Sequence, residues 1–188
     1  MLLFLLLLLM LAGTTAEPLR CAEEAAQLFP VNVELLDAAG SVLYASEDNG
    51  ASFAARALIS RFASETDVLP LGNGSLLAAM RYQTTDDGVN VQGWWQAGPH
   101  YKQTAVALST DQGMSFDAPH IVTGYLQQSA CLVGLRDRTI VMPFSHKDAG
   151  FGQRTLLSYD GHGAWWSNSI YELHTGGLNP GCMQALSL

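Results

Sequence analysis

The chain has 188 residues, with 17 acidic against 9 basic side chains and a formal net charge of −8. That balance argues against nucleic-acid binding through a bulk electrostatic field. An apolar fraction of 48%, with 14% charged residues and 18 glycines and 7 prolines scattered along the chain, excludes a disordered or collagen-like sequence and predicts a packed, turn-rich domain.

Leu2 to Ala12 is a run of Leu, Phe, Met and Ala alone, well short of the roughly 20 residues that span a bilayer. It reads as the apolar core of a signal peptide, and Thr14-Thr15-Ala16 supplies the small residues expected before cleavage. Residues 1–16 are therefore assigned to a signal peptide, with an uncleaved anchor as the alternative, and 17–188 to one mature domain. That places the product in the secretory pathway, extracellular or lysosomal. Export implies an oxidising compartment, yet Cys21, Cys131 and Cys182 are an odd number and cannot all pair within one chain. Their spacing does not suit a zinc site, and His100, His120, His146, His162 and His174 never join them at ligand spacing. Neither a metal nor a cofactor is expected.

Helix-period stripes are confined to Ala22–Phe29 and Ala54–Phe62; elsewhere short apolar runs are punctuated by Gly, Asn and Asp, which predicts an all-β protein. Three hairpins follow in order. Val31–Leu36 turns at Ala38-Ala39-Gly40 into Val42–Ala45. Val68–Leu71 turns at Gly72-Asn73-Gly74 into Leu76–Met80, and Cys131–Leu135 turns at Arg136-Asp137-Arg138 into Thr139–Phe144. Asn73-Gly74-Ser75 is a glycosylation sequon in the second turn, so Asn73 is read as an acceptor on a surface loop.

One phrase recurs. Ser46-Glu47-Asp48-Asn49-Gly50-Ala51-Ser52-Phe53 and Ser109-Thr110-Asp111-Gln112-Gly113-Met114-Ser115-Phe116 share the form S-x-D-x-G-x-x-F. A third copy keeps Ser158, Asp160, Gly163 and Trp166, with one residue inserted before the glycine. Short Ser and Asp side chains bond backbone groups in a tight turn, Gly permits positive φ, and a buried aromatic pins the turn to its sheet. Phe53, Phe116 and one of Trp165 or Trp166 are accordingly expected to be buried.

This phrase resembles the Asp box of sialidases and related β-propellers, over most of the mature chain. The bracketing strands agree: Asn73 to Arg81 is similar to a sialidase "DG-x-LLA" hairpin, Arg138 to Phe144 to its "GRLVVP" strand, and Leu178 to Cys182 to its "NE" segment. The resemblance implies a β-propeller of six four-stranded blades. At about 40–60 residues a blade that takes roughly 300 residues, so about three blades, and hence a partial chain, are expected here.

The resemblance also implies an activity, hydrolysis of terminal sialic acids from glycoproteins and glycolipids, with sialylated or other acidic glycans as partners. Such chemistry binds the sugar carboxylate with arginines, uses a tyrosine nucleophile activated by a glutamate, and protonates the leaving oxygen with an aspartate. Arg81 follows the LLA strand and Asp86 trails it at the family's spacing, which makes Asp86 the candidate acid/base. The same Asp86-Asp87-Gly88 also reads as a plain turn. Arg61 falls where the first carboxylate-binding arginine is expected, although Arg-Phe-Ala replaces Arg-Ile-Pro. Pro180 stands in the place of the glutamate, and the family's remaining arginines and its tyrosine fall beyond Leu188. The fragment is therefore expected to be inactive, and a non-catalytic secreted propeller that binds glycans or proteins is the alternative. Trp94 or Trp95 could offer a sugar-stacking ring, while His146 in Ser145-His146-Lys147-Asp148 reads as a loop histidine.

Overall fold

A computed structural model describes residues 27–34, 39–85, 100–167 and 170–175. Every regular element in it is a strand. In chain order these are β1 (Gln27–Glu34), β2 (Ala39–Ser46), β3 (Ala54–Arg61), β4 (Ala63–Gly72), β5 (Ser75–Thr85), β6 (His100–Ser109), β7 (His120–Ile121), β8 (Gln127–Gln128), β9 (Val133–Gly134), β10 (Ile140–His146), β11 (Gly152–Ser158) and β12 (Tyr171–Thr175). The all-β expectation holds.

The strands form three antiparallel meanders. β1, β2 and β3 make a three-stranded sheet. β4 to β7 pair in sequence, and so do β9 to β12. The two-residue β8 pairs antiparallel with β10 and parallel with β6, joining the second and third meanders in one hydrogen-bonded sheet. All three expected hairpins are present, as β1/β2, β4/β5 and β9/β10. In the second, Asn73 and Gly74 have φ of 50° and 76°, the two left-handed positions of the Asn-Gly hairpin turn, and Asn73 is exposed.

Two expected helical segments are corrected. Residues 27–29 belong to β1, and Ala54–Arg61 is β3. The apolar spacing in Ala54–Phe62 is too short to nucleate a helix by itself, and pairing with β2 outweighs its local preference for helix.

Strand alternation builds two apolar layers around β5. Leu76, Ala78 and Met80 face one way and join Leu43, Ile59, Ala63, Ala105 and Ala107 between the first and second meanders. Leu77 and Ala79 face the other way and join Val106, Ile140, Met142, Phe144 and Leu156 between the second and third. Buried on both faces, β5 reads as a continuous apolar run, and its alanines let the layers approach closely.

The recurring phrase forms the turn between the last two strands of each meander. Ser46 Oγ donates to Asp48 Oδ1 (2.8 Å) and accepts from Gly50 N–H (2.7 Å), while Ser52 N–H and Oγ donate to the two oxygens of Asp48 at 2.8 and 2.6 Å. The Asp111 turn repeats this set, with Ser109 donating at 2.8 Å, Gly113 N–H at 2.9 Å, and Ser115 N–H and Oγ at 2.9 and 2.6 Å. Ser52 and Ser115 thus matter as much as the residues that define the phrase. In the third turn Asp160 replaces them alone, accepting from Ser158 Oγ and from the N–H groups of His162, Gly163 and Trp165 at 2.7–2.8 Å.

The aromatic expectation is met in part in two turns, where the ring is half-buried, and corrected in one. Phe116 packs on the first apolar layer and Trp166 on the second, with Trp165 80% exposed. Phe53 is 45% exposed. Phe116 and Trp166 each enter the layer shared with the preceding meander, and among the described residues no such layer lies before the first sheet.

These hydrogen bonds, those from Ser52 and Ser115 foremost, hold the carboxyls of Asp48 and Asp111 down to about 2 against an ordinary 3.8. Lowered carboxyls stabilise the fold above their unfolded value and lose that contribution as pH falls through the folded one. Melting temperature should therefore drop between about pH 4 and pH 2. A D48N/D111N double variant should show a flatter slope across that window, and an unchanged slope would refute the assignment.

Candidate functional site

The strands carry the turns at one end and polar side chains at the other. Leu76 lies opposite Ser109 at the turn end, whereas Arg81 lies opposite Thr104, about 17 Å further along β5 at 3.4 Å per residue. Here the second apolar layer gives way to a polar one. Alternation continues the Leu77, Ala79 face into Arg81 and Gln83, with Thr104 and Lys102 as their cross-strand partners.

Arg81 is 8% exposed. Its Nε donates to Ser64 Oγ at 3.0 Å, its Nη1 pairs with Glu65 Oε1, and Ser129 Oγ donates to Glu65 Oε2. Successive residues on a strand ordinarily face opposite sides, so Ser64 and Glu65 could not both reach one arginine. A bulge between Ser64 and Asp67 resolves this: β4 spends one extra residue there, and Glu65 takes φ 46°. Ser129, at φ 58°, completes the chain from the loop after β8. A non-glycine bulge leaves no mark in the apolar pattern, which is why Ser64, Glu65 and Ser129 were not foreseen.

Arg61 ends β3 and is exposed. The next residue, Phe62, has φ 72°, and its carbonyl accepts from Gln83 N–H at 3.2 Å, so the corner carrying Arg61 abuts the end of β5 beyond Arg81. Both candidate arginines therefore sit at the end opposite the turns. Asp86, Trp94, Trp95 and Pro180 lie outside the described residues.

His146 is corrected from a loop to the last residue of β10, 8% exposed, with Nε2 3.3 Å from the Ala149 carbonyl. Burial follows from its pairing on both sides, with Gln127 and Gly152. Glu172 is exposed on β12, as an ordinary polar strand residue. Cys131 is disulfide-bonded, and the other cysteines lie outside the described residues. Among the described residues no group of three His, Cys, Asp or Glu side chains could hold a metal ion.

Cations gather here among the described residues. The chain has only two lysines, Lys102 and Lys147, and both act here. Burial pushes the Lys102 ammonium below its ordinary value, the charges of Arg81 and Lys147 add to that, and Glu65 opposes it. Cations with an amide and hydroxyls beside them can bind a carboxylate or another oxyanion.

No family model matches the chain, and no curated protein matches it by sequence. Solved structures do. A protein of unknown function from Dyadobacter fermentans matches 80% of this chain and 39% of its own at a TM-score of 0.63 and 18% identity. An α-L-arabinanase from Penicillium chrysogenum, complexed with arabinobiose, matches 79% and 45% at 0.57 and 16%. The Hadza microbial sialidase Hz136 matches 77% and 34% at 0.53 and 17%. A Trypanosoma rangeli sialidase complexed with the inhibitor DANA matches 84% and 24% at 0.51 and 14%. The chain spans less than half the length of each of these proteins. At such identities the likeness concerns the fold alone, which this all-β chain shares with parts of the arabinanase and sialidase structures.

Proposed function

We propose that the chain forms about three blades of a secreted, sialidase-type β-propeller directed at acidic glycans, and that the whole protein hydrolyses terminal sialic acids. The meanders are the blades, the recurring turns are Asp boxes, and residues 1–16 are a signal peptide that sends the protein into the secretory pathway. Arg61 and Arg81 bind the sugar carboxylate, and Asp86 is the acid/base at the leaving oxygen. The observation that carries this reading is the gathering of Arg61 and Arg81 at the strand end opposite the turns. A second reading, a non-catalytic glycan-binding propeller, is favoured by Pro180, which has no side chain able to take a proton from a tyrosine.

The reading is tested on the 188-residue chain in two assays. It should be retained on a sialylated glycoprotein column and not on the desialylated one, with retention lost on R61A. Against a fluorogenic sialoside at mildly acidic pH it should match the buffer blank, because loss of an acid or base alone costs about 10²–10⁴-fold. Equal retention on both columns would overturn the glycan reading. Turnover abolished by D86N would show that the chain is catalytic as it stands.

A further inference from the structure

We propose that Lys102 and the side-chain amide of Gln83 form an anion subsite at the polar end of the strands, taking the carboxylate or sulfate of an acidic sugar. The inference rests on the glycan-directed reading and names the chemistry by which that site selects its ligand.

The first support is charge. Arg81 and Lys147 both act on Lys102 at this end, in a chain whose net charge is −8. The carboxylate acting on Lys102 is Glu65, and its two oxygens are already engaged by Arg81 and Ser129. Among the described residues that act on Lys102, one carboxylate against two further cations leaves positive charge beside a half-buried lysine. Such an arrangement opposes folding and is a mark of a binding site.

The second support is a buried donor. Gln83 is 8% exposed, and its Nε2 has no hydrogen-bond partner among the described residues. A buried amide N–H without an acceptor keeps its desolvation cost unless a ligand supplies the acceptor. Gln83 and Lys102 are cross-strand partners on one face, their Cβ atoms separated by about 5 Å in such a pair. A neutral donor beside a cation complements an oxyanion, which offers two or more acceptor oxygens on one centre. Arg81, held in place by Ser64 and Glu65, lies on the same face of β5 as Gln83 and shares that oxyanion with the subsite.

The test is calorimetric titration of the 188-residue chain with N-acetylneuraminic acid, N-acetylglucosamine 6-sulfate and uncharged N-acetylglucosamine. At least one acidic sugar should bind and the neutral one should not; preference between carboxylate and sulfate identifies the oxyanion. K102Q should weaken acidic-sugar binding by about tenfold or more, K102R should retain most of it, and Q83L should weaken it. The melting temperature of K102Q without ligand should equal or exceed that of the wild type, since a repelled cation has been removed. A folding defect would lower both, so the two readouts separate a binding role from a structural one. Acidic-sugar binding undiminished in K102Q, or a neutral sugar that binds as tightly, overturns the subsite and leaves the glycan reading in place. No binding of any of the three sugars removes both.

Discussion

Alanine at Gly163 should lower the melting temperature by about 5–15 °C, and alanine at Gly113 by a similar amount. Both glycines sit in the recurring turns at positive φ, 73° and 79°. A Cβ at Gly163 would lie 2.5 Å from Leu77 Cδ2, and one at Gly113 would lie 2.5 Å from Leu43 Cδ2 and 2.8 Å from Leu76 Cδ1. Each turn therefore presses its glycine into a leucine of the preceding meander, buried in an apolar layer. Two costs combine: left-handed backbone for an L-residue, roughly 1–2 kcal/mol, and overpacking of a filled core, roughly 1–3 kcal/mol. Gly72→Ala separates them, because Gly72 has φ 89° but nothing within 4 Å of its Cβ position. It should show the backbone cost alone, and equal losses at Gly72 and Gly163 in thermal unfolding would refute the docking of turn on core.

Glu65→Ala should destabilise the fold by about 1–3 kcal/mol, although the residue is itself half exposed. The cost arises at Arg81. The two side chains are 9% and 43% exposed for Arg81 and Glu65, so the pair lies between a surface ion pair, worth about 0–1 kcal/mol, and a buried one whose breaking costs about 3–5 kcal/mol. Without Glu65 a buried guanidinium keeps Ser64 but loses its ion pair, beside the charge of Lys102. Adding K102M to E65A should restore part of the loss, and R81M/E65A should be less destabilised than E65A. Urea unfolding of the four chains of the E65A and K102M cycle reads the coupling. Strict additivity would mean that Lys102 does not feel the cation left behind.

What the sequence determined by itself is local. Asn73-Gly74 dictates a two-residue hairpin turn because both residues accept positive φ. The alternating and continuous apolar runs dictate strands, and S-x-D-x-G dictates a turn because Ser and Asp reach backbone N–H groups only a few residues away. Arg61 and Arg81 stand out as candidates through the spacing of a known pattern around one hairpin.

Tertiary structure decided whatever depends on a partner distant in the chain. Ala54–Arg61 carries a helix-like spacing and is a strand because β2 offers it a ladder of hydrogen bonds. Phe53 and Phe116 occupy the same place in the same phrase, yet Phe53 is 45% exposed while Phe116 packs on the apolar layer between the first and second meanders, since burial belongs to the neighbouring meander and not to the turn. Glu65 reaches Arg81 through a one-residue bulge that no apolar period records, and Ser129 reaches Glu65 from 64 residues away. Lys102 and Lys147 stand far apart in the sequence. The sheet sets Lys102 opposite Gln83, where the charges of Arg81 and Lys147 act on it.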